Sequence, residues 1–128
     1  MWEYIVRDFR VVDGDTVDVT LDLGFDVATR QRLRANALDA PELRGADRIR
    51  GKAAAARLTE LLTTATEIRV RTEIDPRSRK NREKYGRYLC DLAFSTDGRN
   101  WLSAWEILTN EGHVKYPARP GRKRPGVK

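Results

Sequence analysis

Residues 17–23 alternate strictly between apolar and polar side chains, reading VDVTLDL. A period of two places successive side chains on opposite faces of an extended chain, whereas a helix repeats every 3.6 residues. The apolar set is therefore expected to face a core and the polar set to face water. This pattern predicts a strand with one buried face, so the rest of the chain must supply a sheet and a core around it.

The stretches around this strand also predict a sheet. Residues 2–12 are rich in β-branched and aromatic side chains, and the turn sequence DGD follows at residues 13–15. Composition and alternation predict three further strands, over residues 27–38, 67–73 and 87–94. The chain therefore contains five predicted strands.

Two helices are predicted between and after these strands. Small and apolar residues at helical spacing predict the first helix over residues 47–65. A shorter helix is predicted before Gly112, which is suited to end it. Its start is open between Ser103, in a capping box with Glu106, and Asn100. Its apolar positions are Trp101, Ala104, Trp105 and Leu108. We expect both tryptophans to lie in the core, and platforms for base stacking are the alternative.

The order of elements is three strands, a helix, two strands and a helix. This order is typical of the OB-fold, a five-stranded, partly open barrel that often binds oligonucleotides. We therefore predict an α+β protein with an OB-fold-type five-stranded β-barrel and about two helices. A generic α+β sandwich stays open as the alternative, because the sequence does not show the order of the strands in space.

Scarcity of two residue types excludes several chemistries. The 128 residues include one histidine, His113, and one cysteine, Cys90. A Cys/His zinc site, a disulfide framework and a Cys–His nucleophile pair each need more of these residues, or both close together. Any chemistry is expected to come from carboxylates, arginines, hydroxyls or a hard metal ion. We expect Cys90 to be a buried structural thiol and His113 to be exposed or partly packed.

The formal net charge of +6 is concentrated at the end of the chain. Residues 113–128 hold six Lys and Arg and no acid, whereas residues 1–112 hold 19 basic and 19 acidic residues. We therefore predict one domain over residues 1–116 and a basic Pro/Arg-rich tail over 117–128. The tail has two open interpretations, attraction of phosphate and simple solubility. A second basic cluster lies within residues 75–87.

No apolar stretch approaches the length of a membrane span, and the first ten residues lack the apolar core of a signal peptide. We therefore expect a cytoplasmic protein that does not associate with membranes, unless a leader was removed. The default oligomeric state is a monomer.

Two short acidic motifs lie where strands end. The first is DGDT at residues 13–16 and the second is DAPE at residues 39–42. Asp15 and Asp39 could offer oxygen ligands to a hard cation such as Ca²⁺ or Mg²⁺. Because Asp-Gly is common in turns, an ordinary turn stays open as the alternative for the first motif.

Two arginines accompany these carboxylates. Arg34 lies five residues before Asp39, and Arg87 opens the predicted fifth strand. Two guanidinium groups aimed at a phosphodiester stabilise the charge that develops in its transition state. Glu42 could accept a proton from the attacking water. A surface ion pair is the alternative interpretation for each arginine.

Three blocks together resemble the staphylococcal nuclease-like (thermonuclease) family. They are DGDT at 13–16, Arg34 followed by DAPE at 39–42, and KYGR at 84–87. The resemblance covers about residues 5–116, and the Gly/Ala-rich helix around residues 51–62 is similar to the family's first helix. The three blocks in this order form a specific signal, although any one of them alone does not.

The resemblance implies a Ca²⁺-dependent nuclease on an OB-type barrel, with Mg²⁺ or another divalent ion as the alternative metal. Such a phosphodiesterase, an endonuclease of the thermonuclease type, hydrolyses single-stranded or frayed DNA and/or RNA and leaves 3′-phosphate ends. In this resemblance Asp15, Asp39 and the backbone carbonyl of Ala40 hold the metal. Arg34 and Arg87 bind the phosphate, as catalytic residues together with a general base at Glu42.

Four further residues acquire roles by the same resemblance. Asp13 and Thr16 support the metal site, whereas Tyr85 and Lys84 contact the nucleotide. The chain departs from the family pattern at Asn36, where an apolar residue is usual and an inward-pointing amide would need partners. It also continues into the Pro/Arg-rich tail where the family has another helix.

Two alternative functions stay open. The first is a catalytically inactive OB-fold module that binds single-stranded nucleic acid through its basic loop and tail. The second is a domain that binds a protein partner and whose acidic motifs are ordinary turns. Cleavage of denatured DNA only with a divalent metal would distinguish the nuclease from both.

Overall fold

A computed structural model describes residues 2–73 and 88–115. In chain order, the strands are β1 (Trp2–Asp13), β2 (Thr16–Asp22), β3 (Ala28–Ala35), β4 (Glu67–Glu73), β5 (Tyr88–Ser95) and β6 (Leu102–Ser103). The helices are α1 (Arg48–Thr63), preceded by a 3₁₀ turn at Gly45–Asp47, and α2 (Ala104–Asn110).

Five of these strands close into a barrel. β1, β2 and β3 form an antiparallel meander, and β4 pairs antiparallel with both β1 and β5. A short parallel pairing of β3 with β5 closes the ring. The prediction of an α+β, OB-fold-like barrel with two helices is therefore confirmed, and the sandwich alternative is excluded.

The alternation over residues 17–23 is confirmed for its first three apolar positions. Val17, Val19 and Leu21 are buried inside the barrel. Leu23 is largely exposed, because β2 ends at Asp22 and the chain turns there. The third strand also ends before its predicted limit of residue 38, since the chain leaves the sheet after Ala35 and crosses toward α1.

Helix α1 covers one end of the barrel through a stripe of small and apolar residues. The buried members of this stripe are Gly51, Ala54, Leu58, Leu61 and Leu62. Burial of these apolar side chains against the barrel supplies the main stabilisation of a helix with this composition. The predicted first helix over residues 47–65 is confirmed, although α1 ends at Thr63.

Helix α2 begins at the serine cap. The Ser103 hydroxyl accepts a hydrogen bond from the Glu106 N–H at 3.2 Å, which decides between the two predicted starts. Gly112 follows the helix with a φ of 84°, as expected for a glycine stop. Trp105 is buried, and its Nε1–H donates to the Cys90 carbonyl at 2.9 Å. Cys90 itself is buried, as predicted.

The prediction for Trp101 is wrong. Trp101 is 36% exposed and precedes α2, and the centre of its ring lies 4.7 Å from the guanidinium carbon of Arg69. The physical reason is a sixth strand that the sequence pattern does not reveal. Phe94 pairs with Leu102 in the β5–β6 ladder, so residues 102 and 103 are extended rather than helical.

The last described residues belong to the folded body. His113 is partly packed, as predicted, and Val114 is buried. The predicted tail over 117–128 lies outside the described residues, as does the whole basic cluster at 75–87. Within the ranges that the structure describes, neither helix combines the length and apolar character needed to cross a membrane.

Candidate functional site

Asp15 is a buried carboxylate at the end of the barrel. The residue lies in the turn between β1 and β2 and is 7% exposed. The Thr16 hydroxyl donates to Oδ1 at 3.0 Å, and the backbone N–H of Ala40 donates to Oδ2 at 3.0 Å. A buried acidic group needs such donors to offset its desolvation. Asp15 therefore ties the first acidic motif to the second.

Arg34 lies between the two predicted metal carboxylates. Its Nη2 donates to Oδ1 of Asp39 and lies 3.6 Å from Oδ2 of Asp15. The sheet fixes this position, because Arg34 pairs with Thr16 across β2 and β3, and the N–H of Ala35 donates to the Asp15 carbonyl at 2.8 Å. The structure thus brings together three of the predicted site residues.

Two glycines allow the elements around this cluster to approach closely. A Cβ added at Gly14 would lie 2.7 Å from the Cβ of Ala54 and 2.8 Å from that of Ala40. A Cβ added at Gly51 would lie 2.2 Å from the carbonyl oxygen of Glu42. Any larger residue would push α1 away from the two acidic motifs. The small residues at the start of α1 are therefore part of how the site is built.

Glu42 follows Asp39 by three residues, on an exposed part of the second motif. Its side chain is 65% exposed, and its Oε1 accepts from Nζ of Lys115 at 3.3 Å. The backbone N–H of Lys115 also donates to the Asp39 carbonyl at 2.6 Å. The residues after α2 therefore contact the acidic motif through both backbone and side chain.

Sequence reasoning missed Lys115 and Arg50 as parts of this region. Arg50 donates from Nη2 to the Val114 carbonyl at 2.5 Å and from Nη1 to Asp47 at 3.2 Å. The contacts of Arg50 with Val114 and of Lys115 with Glu42 join residues separated by 64 and 73 positions, so no local spacing indicates them. The one available signal is that Lys115 lies only three residues after the helix stop Gly112, although the charge pattern groups it with the basic end of the chain.

The remaining predicted site residues have mixed outcomes. Asp13 ends β1, where it pairs in register with Thr16 across a bulge. Lys84, Tyr85 and Arg87 lie outside the described residues, so their predicted roles stay predictions. Within residues 2–73 and 88–115, no three His, Cys, Asp or Glu side chains form a metal-binding group.

Asn36, whose inward-pointing amide was expected to need partners, has a hydrogen-bond partner for only one of its two amide atoms within the described residues. Its Nδ2 donates to Oδ1 of Asp91 at 2.8 Å, which links the end of β3 to β5. Its Oδ1 is buried and has no hydrogen-bond partner within the described part of the chain. A buried acceptor left in this state costs about 1–3 kcal/mol.

A second ion pair lies beside the cluster on the same two strands. Arg32 donates from Nε to Asp18 at 2.7 Å and from Nη2 at 3.1 Å. These hydrogen bonds lower the pKa of Asp18 and raise the pKa of Arg32. Arg32 therefore forms an ion pair with one carboxylate, whereas Arg34 forms ion pairs with two.

Comparison with known proteins does not place the chain in a family. A scan against models of protein families and a search of curated proteins both found no match. The resemblance to the nuclease family therefore rests on the residues of the three motif blocks. The structure describes two of these blocks, and it brings Asp15, Arg34 and Asp39 into contact.

Proposed function

We propose that this protein is a divalent-metal-dependent nuclease that hydrolyses phosphodiester bonds of DNA or RNA, with Ca²⁺ as the expected metal. The single observation that carries the proposal is the Arg34 guanidinium held between Asp15 and Asp39 at the end of an OB-like barrel. Carboxylates that hold a cation beside an arginine that binds phosphate are what such a reaction requires.

The carboxylate pair fits a hard cation. One positive group, Nη2 of Arg34, donates to Asp39 and lies 3.6 Å from Asp15, so both carboxylates face the same positive charge. Asp15, Asp39 and the backbone carbonyl of Ala40 would hold the metal, with water completing a shell of oxygen ligands. When bound, the ion would polarise the phosphodiester and favour ionisation of a water molecule.

The protein's own groups supply the rest of the chemistry. Arg34 is partly exposed, so its guanidinium is able to exchange a carboxylate partner for a phosphate oxygen. There it would stabilise the negative charge that grows on the phosphate oxygens. The exposed carboxylate of Glu42 is available to accept the proton of the attacking water, and Lys115 limits where that side chain can lie.

The competing proposal is a binding module without catalysis. The OB-like barrel itself favours it, because this architecture often binds single-stranded nucleic acid. A module of this kind would not need a buried Asp15 bonded to the second acidic motif and facing Arg34. We therefore prefer the nuclease.

The deciding experiment incubates denatured DNA with the protein in Ca²⁺ and, separately, in excess chelator. We expect shortening of the DNA only with Ca²⁺, with products that end in a 3′-phosphate and become substrates for a polymerase after phosphatase treatment. The Asp39→Asn variant should lose this activity, and Asp26→Asn, an exposed aspartate in the β2–β3 turn, should keep it. Binding of DNA without cleavage in Ca²⁺ would favour the module instead.

A further inference from the structure

Three cations beside the site lack the acidic partners that most other described arginines have. Arg44, Arg48 and Lys52 are exposed, and none of them makes a hydrogen bond or ion pair through its side chain within the described residues. By contrast, the side chains of Arg7, Arg32, Arg34, Arg50, Arg57, Arg69 and Arg71 all contact a carboxylate. We call Arg44, Arg48 and Lys52 the basic stripe.

The basic stripe breaks two rules that favour stability. Arg48 and Lys52 stand four residues apart on α1, and like charges at this spacing repel each other. The first turn of α1 contains no acidic residue, although carboxylates are favoured and cations disfavoured there. Local choices that oppose folding without a compensating contact are typical of functional positions.

The basic stripe is adjacent to the candidate site. Gly51 packs against the backbone of Glu42, and Arg48 lies three residues before Gly51, on a neighbouring part of the helix surface. Arg44 follows Glu42 by two residues. The three residues therefore lie at and just before the start of α1, where the helix approaches the backbone of the second acidic motif.

We propose that the basic stripe binds backbone phosphates of the nucleic-acid strand that flank the phosphate at Arg34, so that the protein selects a polynucleotide over a single nucleotide. This inference rests on the proposed function for the location of the strand. A nucleic acid fits better than an acidic protein surface, because the stripe adjoins a cluster suited to a phosphodiester. Within residues 44–52, Ile49 is also the one large apolar side chain that is exposed.

The test measures binding of a fluorescent oligothymidylate by anisotropy over a range of salt concentrations. A length of about 12 nucleotides lies within the site size of one OB-type barrel. Excess chelator is present, so the strand stays intact. The variant replaces Arg44, Arg48 and Lys52 with glutamine. The matched control replaces Arg57, Arg71 and Arg99 with glutamine, which removes the same charge elsewhere on the body.

We expect the stripe variant to bind more weakly and the slope of log K against log salt to flatten by about 2, since each phosphate contact to a single strand contributes about 0.7. The control should keep most of the wild-type slope. The stripe variant should also be at least as stable to urea as the wild type, because like-charge repulsion is removed.

Equal slopes in the two variants would overturn the proposal, since net charge alone would then explain binding. A stripe variant that binds oligothymidylate like the wild type, but has lost the wild type's binding to an acidic polypeptide, would overturn it in favour of a protein partner. If the stripe variant alone loses slope but neither the wild type nor any variant cleaves DNA in Ca²⁺, the proposed hydrolysis fails and this binding surface stands.

Discussion

The two ends of the β2–β3 hairpin show opposite ways of specifying a structure. At one end, Asp15 accepts a hydrogen bond from Ala40, in the segment between β3 and α1, and forms an ion pair with Arg34. At the other end, residues 23–27 form a turn held by local bonds, such as the Leu23 N–H to the Val27 carbonyl at 2.9 Å. Changes at the first end disturb several elements, whereas changes at the second should stay local.

Backbone conformation sharpens this contrast. Gly24, Phe25 and Asp26 have φ values of 83°, 55° and 60°, in the left-handed region that bulky side chains avoid. Phe25 is also fully exposed, so no burial compensates for this conformation. The turn end is therefore destabilised by its backbone conformation, and the site end is destabilised by the desolvation of polar groups.

The largest expected effect is at the site end. Replacing Arg34 with alanine should reduce kcat on denatured DNA by about 10²–10³, the typical loss when one donor to a developing negative charge is removed. Arg30→Ala, on the same strand but nearer the turn, is the matched control and should retain near-wild-type turnover. Similar turnover in both variants would remove Arg34 from the proposed mechanism.

Next in size is a pair of glycine substitutions that compares the two ends directly. Gly14→Asn places a Cβ within 2.8 Å of two alanine Cβ atoms, and we expect a loss of about 1–3 kcal/mol in the free energy of unfolding. Gly24→Asn meets no atom within 4 Å, and asparagine tolerates the left-handed region, so its loss should be smaller. Urea unfolding measures both, and an equal loss would contradict the comparison.

A smaller effect of the opposite sign is expected at Phe25. Phe25→Asn should raise the free energy of unfolding by about 1 kcal/mol, because asparagine accepts the left-handed conformation more readily. Val27→Asn is the control, since Val27 is also exposed but has no positive φ. Thermal melts of both variants test this; a destabilised Phe25→Asn would show that the phenyl ring makes a favourable contact.

The sequence predicted the elements better than their ends. Alternation and apolar composition identify the five barrel strands, because each strand has one face against the core. Whether residues 101–103 are helical or extended depends on the pairing of Phe94 with Leu102, which is a tertiary contact. Two tryptophans at helical spacing therefore misled the assignment, although Trp105 does lie in the core.

For the site, the predicted residues that the structure brings into contact are near in sequence or carried by a motif. Arg34 and Asp39 are five residues apart, and their contact follows from a strand that leads into the acidic motif. The contact of Glu42 with Lys115 spans 73 residues and arises only when the chain after α2 packs beside that motif. A single sequence has no local pattern that records such a meeting.

The smallest predicted effect lies midway along the hairpin, at the Asp18–Arg32 pair. Its hydrogen bonds lower the pKa of Asp18 below its ordinary 3.8, so the pair stabilises the folded state above that pH. The contribution should disappear as the pH falls through the folded-state value. Because Arg32 is half exposed, the pair contributes at most about 1 kcal/mol to the free energy of unfolding.

Urea unfolding of the wild type and of Asp18→Asn from neutral to acid pH measures this contribution. The difference in stability should be constant near neutrality and shrink below about pH 3.8, as the Asp18 carboxylate becomes protonated. In an Arg32→Gln background the shrinkage should be lost, since the hydrogen bonds that lower the pKa are gone. A pH-dependent difference that persists without Arg32 would assign it to the other charges near Asp18, which are Arg10 and Arg30.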